Sequence, residues 1–121
     1  MLNIVVATDD LRTWEQFSAE LGGEGAAAQW AANGLEAIDL AQAEGVDLLL
    51  LDLTIPLLAA WEVCDSLRNT TQASATMPIY VLTDDELSPH TVEKHGATGI
   101  LPKSPAAGEL RDLLASLVLA R

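Results

Sequence analysis

The chain has 121 residues, half of them hydrophobic and a fifth charged, which suits one domain with a real core and excludes a disordered segment. Its 18 acidic residues against 6 basic ones leave a formal net charge of −12. That balance repels phosphate backbones, argues against direct nucleic-acid binding, and suits a cation site or a basic protein partner. The single cysteine, Cys64, excludes a disulfide within the chain. No basic n-region opens the sequence and no apolar run is long enough for a bilayer, so a cytoplasmic protein without membrane association is expected.

The elements alternate. A β-branched apolar run from Leu2 to Ala7 reads as a first strand. Trp14, Phe17 and Leu21 stand at helical spacing, predicting a helix over Thr13 to Leu21 that Gly22, Gly23 and Gly25 end. A weak strand from Ala27 to Trp30 precedes the turn Asn33-Gly34. Leu35 to Ala43 then reads as a helix with Leu35, Ile38 and Ala41 inward. Val46 to Leu51 is the strongest strand signal, because a continuous apolar run suits a strand covered on both faces. A loop with Pro56 leads to a helix from Trp61 to Arg68, in which Cys64 reads as a small core residue. Pro78 to Thr83 reads as a fourth strand, and Ser88 and Pro89 as the cap and first position of a fourth helix. A strand from Thr98 to Leu101 precedes a last helix beginning near Ser104-Pro105. Its stripe would hold Leu110, Leu113, Leu114, Leu117 and Val118. Trp14, Trp30 and Trp61 read as packing residues, and His90 and His95 as surface or packing residues. Five βα units imply a parallel sheet with helices on both faces and a site at the carboxyl ends of its strands.

Polar residues gather just past those ends. Asp9 and Asp10 follow the first strand, Asp52 ends the third, Thr83, Asp84 and Asp85 follow the fourth, and Lys103 follows the fifth. Crowded carboxylates require a raised pKa or a cation. Hard oxygen donors suit Mg²⁺, which keeps several waters and takes one or two carboxylates. A lysine and a hydroxyl nearby complete a phosphate site, and a carboxylate can itself be the nucleophile of an aspartyl phosphate. Carboxylates also favour the N-cap of the first helix, and Asp10 could partly cap it while still binding metal.

The acidic pair Asp9-Asp10, the segment Leu50-Leu51-Asp52-Leu53-Thr54-Ile55-Pro56, the segment Pro78-Ile79-Tyr80-Val81-Leu82-Thr83, and Gly96-Ala97 leading to Lys103 resemble, in order, the response-regulator receiver family. The likeness covers essentially the whole chain. It implies a single receiver domain over 1–121: an α/β, flavodoxin-like three-layer sandwich with a five-stranded parallel sheet of order 2-1-3-4-5 and five helices. It implies that Asp52 is the phosphoacceptor, and that Asp10 binds Mg²⁺ directly, Asp9 through water and Thr54 through its backbone carbonyl. Lys103 would bridge to Asp52 at rest and to the phosphoryl group afterwards, and Thr83 would carry its hydroxyl to that group. It implies a phosphorelay partner, a histidine kinase or phosphotransfer protein, together with an effector domain, output protein or second copy as target. Such a domain is not an enzyme in the ordinary sense; it assists its own phosphorylation and dephosphorylation.

Four positions depart from the family pattern. Ala60 stands where a glycine is usual, Asp84 where a small residue follows the switch threonine, Ile100 where an aromatic precedes the lysine, and the proline after the lysine is displaced to Pro105. Asp84 and Ile100 admit an alternative, an atypical receiver acting as a phosphorylation-independent interaction module. An aspartate-nucleophile phosphatase is disfavoured because Thr54 stands where those enzymes carry a second Asp. A flavin carrier is disfavoured by the acidic loop Ala7-Thr8-Asp9-Asp10.

Overall fold

The computed structural model describes residues 1–70 and 72–119. In chain order the elements are β1 (Asn3–Ala7), α1 (Leu11–Gly23), β2 (Ala27–Ala31), α2 (Gly34–Ala41), β3 (Leu48–Asp52), α3 (Ala60–Arg68), a short 3₁₀ turn (Ala73–Ala75), β4 (Ile79–Leu82), α4 (Pro89–Lys94), β5 (Gly99–Leu101) and α5 (Glu109–Leu119). The five strands form one parallel sheet in the order β2-β1-β3-β4-β5.

The sheet is covered on both faces, and the period of two decides what meets which helix. Val5, Ala7, Leu49, Leu51, Ile79 and Val81 pack with Ala37 and Ala41 of α2, Val63, Cys64 and Leu67 of α3, and Val92 of α4. Ile4, Val6, Leu48, Leu50, Leu82 and Leu101 point the other way, against Phe17 and Leu21 of α1 and Leu110 and Leu114 of α5. Every residue of β3 is buried, so its four leucines serve both layers. Truncating one of them to alanine removes roughly 2–5 kcal/mol. Burial also makes Cys64 inert: desolvation, helped by Asp65 and opposed by Arg68, pushes its thiol up to about 11.

Three expectations are corrected. The last helix begins at Glu109, not near Ser104, because Gly108 sits at φ 92, outside helical space, immediately before it. Leu35 points outward and is 54% exposed, since α2 lies close to its neighbours and presents Gly34, Ala37 and Ala41 to them instead. Val118 lies off the α5 stripe at 55% exposure. Trp14 and Trp61 are half-buried and Trp30 is exposed. Trp14 stacks on Trp30 with ring centroids 5.5 Å apart, and Trp61 stacks on His95 at 4.8 Å.

The strand order reverses direction between β1 and β3, which opens a crevice at the carboxyl ends of these central strands. The loops after β1, β3, β4 and β5 line it.

Candidate phosphoacceptor site

Asp52 closes β3 and is 1% exposed. A carboxylate buried to that degree must be fully hydrogen-bonded to stay charged. Parallel pairing supplies the first partner: Ala7 sits beside Leu51, so the next residues, Thr8 and Asp52, are neighbours. The Thr8 hydroxyl donates to Asp52 Oδ2 at 2.8 Å. The other oxygen, Oδ1, accepts from the Thr54 backbone N–H at 3.1 Å and from the Thr54 hydroxyl at 3.0 Å. The first of these is an Asx-turn, which an aspartate makes with the residue two further on. Lys103 Nζ completes the set 3.3 Å from Oδ1. Burial alone would raise the Asp52 pKa. The Thr54 N–H, the hydroxyls of Thr8 and Thr54, and the charge of Lys103 together outweigh it and hold the group below its ordinary value.

The acidic pair is arranged differently from a crowd of carboxylates. Asp9 and Asp10 are both exposed. Asp10 caps α1: its Oδ1 accepts from the Arg12 N–H at 3.1 Å and its Oδ2 from the Thr13 hydroxyl at 3.0 Å. Among the described residues no group of three or more His, Cys, Asp and Glu converges on a point that could hold a metal ion. The donor chemistry still fits a hard cation, because Mg²⁺ needs only one or two carboxylates, a carbonyl such as that of Thr54, and waters.

Thr83 is buried at the end of β4, where its N–H donates to the Leu101 carbonyl at 3.1 Å. Its hydroxyl accepts from the Asp85 N–H at 3.1 Å. Asp84 Oδ1 accepts from the Lys103 N–H at 3.1 Å, tying the loop after β4 to the loop after β5. Ile100 is half-buried and packs on the core shared by α2, α3 and α4. The structure thus brings Thr54 and Lys103 onto Asp52, and places Thr83 alongside with its hydroxyl engaged elsewhere. Two contacts escaped the sequence reading, the hydroxyls of Thr8 and Thr54. Thr8 was legible in principle, as the hydroxyl one step past β1 in register with Asp52.

A family model for the response regulator receiver domain matches residues 4–115. The chain belongs to the response regulator receiver family. It is 34% identical over 119 residues to the response regulator MprA of Mycobacterium avium, a match that takes in 97% of this chain and 51% of that protein. The chain thus spans about half the length of the curated relatives it matches. Among solved structures it resembles the Vibrio cholerae chemotaxis protein CheY4, with TM-score 0.84 and 28% identity over 97% of this chain and 98% of that one. It also resembles the receiver domain of the Pseudomonas aeruginosa sensor histidine kinase PA1611, solved with a magnesium ion in its active-site cleft. That match has TM-score 0.85 and covers 97% of both chains at 22% identity, a likeness of fold. The receiver fold and its place in two-component signalling follow from these matches.

Proposed function

We propose that this chain is one receiver unit, working in the cytoplasm, that takes a phosphoryl group on Asp52 from a phosphohistidine of a histidine kinase or phosphotransfer protein. The observation that carries the proposal is the buried Asp52 carboxylate, held charged by Thr8, Thr54 and Lys103 at the mouth of the β1–β3 crevice. In the transfer an Asp52 oxygen–phosphorus bond forms as the donor's phosphorus–nitrogen bond breaks, and the electron pair leaves with the imidazole. Lys103 moves from the carboxylate oxygen to an equatorial phosphoryl oxygen and absorbs its charge. Thr83 gives up the Asp85 N–H and turns its hydroxyl to the same group, biasing the β4–β5 end of the sheet towards a second state that an effector or a second copy reads. Asp9, Asp10, Asp52 and the Thr54 carbonyl would hold Mg²⁺, which when bound would supply charge neutralisation for the transferring group. Two-component relatives and the magnesium held by the PA1611 receiver support this reading.

Incubation with acetyl phosphate and MgCl₂, followed by intact-mass measurement, tests it. Wild type should gain one phosphoryl mass that Asp52→Asn does not, and omission of the metal should abolish the gain. No gain on wild type would favour the phosphorylation-independent module, for which Asp84 and Ile100 are the specific arguments.

A further inference from the structure

Thr8 lies outside the residues assigned above to transfer and metal binding, yet its surroundings give its hydroxyl proton one direction. The Thr8 N–H donates to the Ala31 carbonyl at 2.9 Å, and the Thr8 carbonyl accepts from the Trp30 indole N–H at 2.8 Å. The hydroxyl oxygen accepts from the Asp10 N–H at 3.1 Å. With backbone and oxygen both fixed, the O–H points at Asp52 Oδ2, 2.8 Å away. Thr8 itself is fully buried, so no water competes for that bond. The two carboxylate oxygens are therefore inequivalent. Oδ1 faces Thr54, which is exposed, and Lys103, whose side chain is 31% exposed, and so looks onto the crevice. Oδ2 faces the interior.

We propose that Thr8 is a positioning residue that presents Oδ1 to the phosphodonor and, through its bond to Oδ2, shortens the lifetime of the phosphorylated state. The inference rests on Asp52 phosphorylation as proposed above. When Oδ1 bonds to phosphorus, Oδ2 becomes the carbonyl oxygen of a mixed anhydride and loses its share of negative charge. A hydrogen bond to a carboxylate is stronger than one to a neutral carbonyl. The Thr8 bond therefore favours the free carboxylate over the anhydride. In hydrolysis a water oxygen bonds to phosphorus, the phosphorus–Oδ1 bond breaks, its electron pair returns to the carboxylate and a water proton goes to solvent. Charge growing on Oδ2 strengthens the Thr8 bond as the step proceeds, which speeds it.

Thr8→Val keeps the shape and β-branching of the side chain and removes the donor; Thr8→Ala makes the same comparison with less bulk, and Thr8→Ser restores the hydroxyl. After loading with acetyl phosphate and Mg²⁺ and removal of the donor, decay of the phosphoryl mass should be about fivefold slower in Thr8→Val than in wild type, with Thr8→Ser close to wild type. A ¹³C titration of the Asp52 carboxyl, which needs no phosphorylation, should show its midpoint raised in Thr8→Val and restored in Thr8→Ser. Equal lifetimes and equal midpoints in wild type and in variants with an unchanged far-UV spectrum overturn this inference alone. Failure of wild type to take up a phosphoryl group overturns the reading it rests on as well. A slowed decay with a raised midpoint, both rescued by serine, establishes it.

Discussion

Two helical glycines should respond to alanine with opposite sign. Gly22 lies in the last turn of α1, and a Cβ there meets nothing within 4 Å. Alanine in a helix is favoured over glycine by roughly 0.5–1 kcal/mol, so Gly22→Ala should stabilise by about that much. Gly34 opens α2, is buried, and donates its N–H to the Pro56 carbonyl at 3.0 Å. A Cβ there would strike the Leu58 carbonyl oxygen and come within 2.7 Å of Leu58 Cβ. The obstacle is backbone, so the β3–α3 loop itself must move. Overpacking of this kind costs roughly 1–3 kcal/mol, which exceeds the helix-propensity gain. A net loss of about 1 kcal/mol corresponds to a fall in Tm of about 4 °C for a chain of this size. The same loop carries Thr54, so the displacement should also slow phosphorylation. Urea denaturation followed by circular dichroism reads both variants against wild type. A neutral or stabilising Gly34→Ala would refute the close-approach argument, because propensity alone predicts that the two substitutions act alike.

Further outcomes follow from single positions. Leu57 holds a positive φ of 71 with a side chain 74% exposed, so Leu57→Gly should relieve strain at little loss of packing and raise the urea midpoint by the equivalent of about 0.5 kcal/mol. Asp52 has a folded-state pKa below its ordinary 3.8. Its charge therefore contributes stability that is fully present above that value and is lost as pH falls through the lower folded one. The stability difference between wild type and Asp52→Asn should be constant from pH 7 to about 5 and shift against wild type below about 4; a difference that stays flat to pH 3 would sink this account. Asp84→Ala removes the acceptor of the Lys103 N–H, and amide exchange at Lys103 should quicken while that of the β3 amides holds.

The sheet was legible because it depends on burial, and burial writes itself as unbroken apolar runs. Leu48 to Leu51 are buried on both faces, as their composition requires. The outer layer was less legible. Periodicity placed Leu35 inward because it is large and apolar, but α2 approaches the β3–α3 loop so closely that only Gly34 fits, and the helix turns on its axis accordingly. The start of α5 was set by one backbone angle at Gly108. Within the site, Asp52 and Lys103 announced themselves as charges at strand ends. Thr8 did not, because a threonine there reads as ordinary strand propensity until the β1–β3 register sets it beside Asp52.

The departures from the family pattern bear most directly on readout. On the proposed function, Thr83 must release the Asp85 N–H to reach a phosphoryl group. The adjacent Asp84 meanwhile binds the Lys103 backbone, so the loop carrying Thr83 and the loop carrying Lys103 are fastened to each other. Ile100, packed on the core in place of an aromatic, offers no ring to fill space that Thr83 vacates. A phosphoryl group shifts such an equilibrium only by what it binds better in the second state than in the first. The Thr83 and Lys103 contacts must therefore outweigh both the Asp85 bond and any loosening of the Asp84 tie. The Thr8 bond acts in the same direction, since it favours the free carboxylate. On the proposed function all three devices weight the resting state, and together they demand a donor that keeps Asp52 supplied for as long as the signal lasts.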